Sequence, residues 1–196
     1  MTTYDIPKEY LGEERNKEDC TTKEMEYMLS AILWSKRSKD PSTQVGVAIV
    51  DKEEKIISGG CNNPPDQWEG EFPYKTDVKE EYHKYSYIIH AEMRGIFNYN
   101  GSKKDLEGAT AYVTLFPCKE CAKLLVTSGI KKVVYLHDTR QDSPDNFISK
   151  VLFNKCGVEY KEFDKTLLEG IELDINSKNE KEIAKIKSYK PNEKVQ

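Results

Sequence analysis

TAYVTLFPCKECAKLLVTSGIKKVVYL, residues 110–136, reads as a strand, a helix and a second strand. Thr110 to Leu115 is rich in β-branched and aromatic residues, which fit a pleated, half-buried surface. Pro117 has the fixed φ that suits the opening turn of a helix. Gly129 stands where that helix must stop in a left-handed conformation, and KVVYL (132–136) predicts the next strand. The alternation continues outward. Upstream, VGVAIV (45–50) and KIISGG (55–60) predict strands joined by the charged turn Asp51–Glu54, and a helix starts near His90. Further upstream, Thr21 and Glu24 match a capping box, with Met25, Met28, Leu29, Ile32 and Leu33 on one helical face and Pro41 closing the region. Downstream come a helix near 145–155 and the strand VEYKEF (158–163). Helices and strands alternating in this way predict an α/β sandwich.

These elements fill residues 21–163, read as one domain. Residues 1–20 are polar and read as an N-terminal arm. Residues 164–196 read as a charged C-terminal tail with a weak amphipathic stretch near Ile183 and Ile186. The segment from Cys61 to Tyr87 is long enough to predict a functional loop or lid. There is no internal repeat.

Charge narrows the partners. With 34 acidic against 30 basic residues the chain carries −4 and a pI near 5.6, a poor polyelectrolyte match for DNA or RNA. A free anionic nucleotide is compatible, because one local basic pocket is enough to hold it. No apolar run is long enough to span a bilayer, and MTTYDIPKEY lacks the form of a signal peptide. The five cysteines (Cys20, Cys61, Cys118, Cys121, Cys156) are odd in number and sparse, which suits metal or redox chemistry in a reducing cytoplasm better than a disulfide framework.

The chemistry concentrates in His90-Ala91-Glu92 and Pro117-Cys118-Lys119-Glu120-Cys121. Cys118 and Cys121 share a helical face, and a helix N-terminus favours the thiolate, the form that binds metal. One imidazole and two thiolates suit Zn²⁺ and leave a fourth tetrahedral position for water, as in a catalytic zinc. Two thiolates already neutralise the dication, so Glu92 is free to act as general acid and base. A lone CxxC also suits a redox pair or half of a zinc ribbon, and a lone HAE says almost nothing. The ordered combination, each piece opening a helix, is far more specific and matches the zinc-deaminase signature H-x-E…P-C-x-x-C.

From Met25 to Phe163 the chain resembles the deoxycytidylate (dCMP) deaminases of the cytidine deaminase superfamily. The likeness extends to Arg37-Ser38-Lys39-Asp40-Pro41-Ser42-Thr43-Gln44-Val45-Gly46, Gly108 to Cys118, Cys121-Ala122-Lys123-Leu124, Ser128-Gly129-Ile130-Lys131 and Leu152-Phe153-Asn154. The resemblance implies a three-layer α/β/α sandwich around a mixed five-stranded sheet, and a homo-oligomer, often a hexamer in the family. It implies zinc on His90, Cys118 and Cys121, with Glu92 as proton shuttle. Water activated there would add to C4 of cytosine while Glu92 protonates N3 and then the departing amine, giving dUMP and ammonia. Asn62 matches an asparagine that lies on the substrate sugar, although Asn62-Asn63-Pro64 is also an ordinary turn sequence.

Two departures stand out. Where the family often has Gly-Tyr-Asn-Gly, linked to allosteric dCTP and dTTP control with Mg²⁺, this chain has Gly60-Cys61-Asn62-Asn63, so weak or altered regulation is expected. Some relatives bind a second, structural zinc near the Pro64–Tyr87 segment. Cys20, Cys61 and His83 are the residues to consider for it, but they show no recognisable spacing. For the substrate phosphate, Lys39 is the favoured cation and Arg140 the second, with Ser42 and Thr43 as hydroxyl donors. The competing readings are another cytosine substrate (dCTP, CMP or cytidine), a riboflavin-pathway pyrimidine, adenosine in tRNA, or a zinc-stabilised binding module without catalysis.

Overall fold

The computed structural model describes residues 16, 20–169, 173–177 and 180–184, so most of the expected N-terminal arm lies outside the described residues. Five strands form one mixed sheet: β1 (Gly46–Val50), β2 (Ile56–Cys61), β3 (Thr110–Leu115), β4 (Lys132–His137) and β5 (Glu159–Glu162), in the order β2-β1-β3-β4-β5. β1 is antiparallel to both β2 and β3, whereas β3, β4 and β5 run parallel.

Strand side chains alternate between faces, and the two faces meet different helices. Val47, Ile49, Ala111, Val113 and Val133 face one core, which Ala91, Leu125 and Phe153 complete. These last three come from helices α2 (Ala91–Phe97), α4 (Lys119–Ser128) and α5 (Pro144–Cys156); the one-turn α3 (Lys103–Leu106) precedes β3. Ala48, Val50, Tyr112, Val134 and Leu136 face the other core, against Tyr27, Met28, Ala31 and Ile32 of α1 (Lys23–Ser35). This is the sandwich with helices on both faces that the sequence implied.

The first helix differs from its expectation in two details. Its N-cap is Thr22, not Thr21: the Thr22 hydroxyl accepts the Met25 N–H, and Met25 sulfur stands where Glu or Gln usually completes the box. The buried face is Tyr27, Met28, Ala31, Ile32 and Ser35, and Leu33 is left exposed. Gly129 is left-handed at φ 94°, ending α4 as expected. Beyond Phe163, the turn Lys165–Leu168 lays Leu167 and Leu168 against the second core. Within the stretch read as a tail, Leu173–Ser177 and Glu180–Ala184 pair as an antiparallel hairpin that includes Ile183; Ile186 lies outside the described residues.

Close approach fixes the first element. A Cβ on Gly46 would stand 2.0 Å from Ala31 O and 2.4 Å from Ser35 N, both α1 backbone atoms that cannot rotate away. Gly46→Ala is therefore expected to destabilise the chain by about 3 kcal/mol, the upper part of the usual overpacking range. Urea unfolding followed by circular dichroism measures it, and a loss below about 1 kcal/mol would contradict this packing.

Candidate active site

One end of the sheet gathers the site. β2 ends at Cys61, β3 at Leu115 and β4 at His137, while β1 begins there at Gly46. The long segment after β2 leaves and returns at this end, because Asn63 and Ile89 exchange both backbone hydrogen bonds, at 3.0 and 3.1 Å. That bridge places His90 as the N-cap of α2, beside the end of β2. Across from it, Phe116 N–H donates to His137 O at 2.8 Å and holds the turn that makes Cys118 the N-cap of α4. Two helices thus begin at one point, and each contributes its opening residues.

The three ligand atoms lie within 4.8 Å of one another. His90 Nδ1 is 3.3 Å from Cys121 Sγ and 3.5 Å from Cys118 Sγ. Ligand bonds of the usual Zn–N and Zn–S lengths at tetrahedral angles put nitrogen and sulfur about 3.5 Å apart, so this donor set fits a zinc ion. A hydrogen bond from Cys121 holds the Cys118 thiol down at about 3, far below the ordinary thiol range, and His90 adds to the effect. The same bond and burial push Cys121 upward.

Glu92 follows in the first turn of α2 and is 4 % exposed. Burial pushes its carboxyl above the usual range, and the neighbouring His90 pulls the other way. A buried carboxyl beside a metal-competent group, pushed upward in this way, is suited to taking up and releasing protons.

An open pocket with a cavity volume of about 60 Å³ lies over these residues and is lined by Thr43, Asn62, His90, Glu92, Cys118 and Arg140, among others. Asn62 is buried and held on both sides: its Oδ1 accepts from Val45 N at 2.7 Å, and its Nδ2 donates to Thr43 O at 2.9 Å. Arg140 is exposed at the mouth. The structure does not bring Lys39 or Ser42 to this pocket. The first loop turns at Asp40, which sends Lys39 to the wall of a separate cavity, with Arg37, Arg94, Trp34 and Trp68. Ser42 gives its N–H to Asp40 Oδ1 instead.

Sequence reading passed over Asp40, Lys84 and Tyr85, all of which line the pocket. Lys84 and Asp40 form an ion pair with both side chains 1 % exposed. Asp40 lay inside the quoted family-like loop, but no local signal marked Lys84 within the charged segment. The residues weighed for a second zinc are scattered. Cys20 is exposed, Cys61 sulfur accepts from Asn63, and His83 Nδ1 accepts the Tyr85 N–H. Among the described residues, His90, Cys118 and Cys121 form the only metal-competent group.

Known proteins share this arrangement. The family model for the cytidine and deoxycytidylate deaminase zinc-binding region matches residues 21–137. Human deoxycytidylate deaminase is 40% identical over 139 residues, covering 70% of this chain and 77% of its own. The probable deoxycytidylate deaminase of Drosophila melanogaster is 42% identical over 142 residues, 69% of each chain. The fold is shared with the crystal structure of dCMP deaminase from the cyanophage S-TIM5 in complex with dCMP and dUMP, at TM-score 0.57 and 24% identity over 70% of this chain and 94% of that one. With a family model spanning more than half its length and its zinc ligands gathered at two helix starts, the chain belongs to the cytidine and deoxycytidylate deaminase family.

Proposed function

We propose that the chain hydrolyses dCMP to dUMP and ammonia, supplying dUMP for thymidylate synthesis. The observation that carries this reading is the placement of buried Glu92 beside the His90, Cys118 and Cys121 group, inside a pocket that also presents Asn62 and Arg140. Relatives named deoxycytidylate deaminase, 40% identical over 70% of the chain, favour the monophosphate over other cytosine substrates. The five thiols, all free, suit a reducing cytoplasm.

His90, Cys118 and Cys121 would hold a zinc ion, which would supply Lewis acidity to a water at neutral pH. Glu92 would take one proton from the attacking water and pass it to N3 as the oxygen adds to C4. Glu92 would then carry the remaining proton of that oxygen to the exocyclic amine, so that the C4–N bond breaks, ammonia leaves and C4 becomes a carbonyl. Asn62 keeps one N–H and one oxygen lone pair after its two backbone bonds, enough to meet a sugar hydroxyl. For the phosphate the assignment moves to Arg140, because of the two cations weighed it alone lines the pocket and its guanidinium can grip two oxygens. Thr43 stays beside it as a second donor.

The family's homo-oligomeric habit has support in apolar side chains left exposed on one side of the sheet: Met93 and Phe97 of α2, and Phe147, Ile148 and Val151 of α5. Effector binding is a further part of this reading. The cavity of about 510 Å³ is lined by Arg37, Lys39 and Arg94, the last paired with Asp66, and could hold an anionic effector, but Cys61 and Asn63 line it where the family has an aromatic ring and a glycine.

Three outcomes are expected. Glu92→Gln keeps about one zinc per chain by metal analysis and loses about 10²–10⁴ of kcat, and a mutant with near-normal turnover would sink the assignment. Arg140→Ala raises KM for dCMP at least tenfold or so while leaving the slow reaction with deoxycytidine nearly unchanged; an unaltered preference would place the phosphate elsewhere. dCTP with Mg²⁺ lowers the dCMP concentration for half-saturation by less than about fivefold, the weak end of allosteric coupling. Strongly sigmoidal kinetics made hyperbolic by dCTP would show that the changes at Cys61 and Asn63 are tolerated.

A further inference from the structure

The buried ion pair between Lys84 and Asp40 has no part in the chemistry above, yet both residues line the substrate pocket. Lys84 Nζ lies 3.0 and 2.9 Å from the two Asp40 carboxylate oxygens. Asp40 Oδ1 also accepts the N–H groups of Ser42 and Thr43, at 2.8 and 3.2 Å. Three donors make four contacts to this carboxylate, three on Oδ1 and one on Oδ2, and at 1 % exposure its side chain is enclosed by them. Asp40 therefore acts on the shape of the pocket and not as a ligand in it.

What the pair holds can be followed bond by bond. Through Thr43 it reaches Asn62, whose amide bridges Thr43 O and Val45 N. On the other side, Lys84 Nζ sits 5.1 Å from the centre of the Tyr85 ring, which is 58 % exposed and lines the pocket mouth. The His83 ring packs against the same tyrosine at 4.9 Å. The pair joins two segments 44 residues apart, the loop before β1 and the long segment before α2. Neither Asp40 nor Lys84 hydrogen-bonds to a zinc ligand or to Glu92. The wall facing the catalytic group is thus one connected unit, pinned by a single desolvated charge pair. Removing one partner of such a pair leaves the other charge buried without its counter-ion.

We propose that Lys84 is a positioning residue for the substrate: its buried pair with Asp40 fixes Thr43, Asn62 and Tyr85 as the wall against which the nucleotide binds. The inference rests on the cytosine-nucleotide reading of the pocket.

The test is a KM-against-kcat comparison with dCMP. D40N/K84M is the main variant, because it removes both charges together and keeps an amide oxygen for the Ser42 and Thr43 N–H groups. Y85A is the second, since truncating an exposed ring does not endanger folding. D40N/K84M is expected to retain one zinc per chain and to raise KM on the order of tenfold to a hundredfold, with kcat changed by no more than about threefold. Y85A is expected to raise KM in the same sense. A folded, zinc-loaded D40N/K84M with wild-type KM overturns the proposal, as does loss of zinc or a fall in kcat as large as the rise in KM. Should the double variant fail to fold, wild-type KM in Y85A overturns it alone. The wild-type protein is assayed in parallel with dCMP, CMP, dCTP and deoxycytidine. Absence of turnover with all four counts against the substrate reading. Turnover with any of them lets the variants be scored on that substrate.

Discussion

Two helices must begin within a few ångströms of each other for this site to exist, and the sheet makes them do so. α2 and α4 sit on the same face, against Val47, Ile49, Val113 and Val133, and both start where β2 and β3 end. Each start carries free backbone N–H groups and the positive end of a helix dipole. Thiolates are favoured there, and the hydrogen bonds from Cys121 and His90 pull the Cys118 thiol down in the same sense. The strand order matters as well. β1 lies between β2 and β3 and is buried on both faces, and it holds the two ligand-bearing connections at a fixed spacing.

Charge then divides the labour among four side chains. Two sulfurs and an imidazole can satisfy a dication, which releases Glu92 from ligation. Its burial is what makes it useful, because a carboxylate freely solvated at neutral pH would seldom carry a proton to a ring nitrogen. The acidic overall charge of −4 is no obstacle to an anionic substrate. Arg140 lines the pocket, and the charges of the distant surface are screened within about 10 Å.

Local spacing made some of this readable from the sequence. His90 with Glu92, and Cys118 with Cys121, each lie within one helical turn, so their grouping depends on secondary structure alone. Gly129 marked the end of α4 through a backbone preference that any context would impose, whereas Pro117, expected to open the helix, lies one residue before its N-cap Cys118. The errors arise where neighbours compete or partners are remote. Thr21 and Thr22 are adjacent and chemically identical, so the sequence alone does not choose between them, and in the structure Thr22 is the one whose hydroxyl accepts the Met25 N–H. Leu33 satisfies the helical period, but Tyr27 and Ala31 occupy the sheet-facing stripe. Lys39 was ranked above Arg140 on its family-like neighbours, but the turn at Asp40 sends it to the larger cavity, while Arg140, after β4, lines the catalytic pocket. Lys84 had no local mark, because its significance comes from a carboxylate 44 residues away.

The same turn gives the two cavities a shared wall. Asn62 lines the catalytic pocket and Asn63, the next residue, lines the larger cavity. Across from them Thr43 faces the first and Lys39 the second. The two pairs are stitched together: Lys39 N–H donates to Asn63 Oδ1 at 2.7 Å, and Asn62 Nδ2 donates to Thr43 O. Ser38 Oγ adds a third stitch to Asn62 O at 2.7 Å. A ligand that draws Lys39 or Asn63 into the larger cavity must therefore pull on backbone that also orients Thr43 and Asn62. Coupling through so short a connection needs no motion of the sheet and no change at the zinc ligands, which lie on the far side of the pocket at the starts of α2 and α4. Its effect would fall on Thr43 and Asn62 in the pocket wall, while Glu92 and the His90, Cys118 and Cys121 group stay anchored at the helix starts.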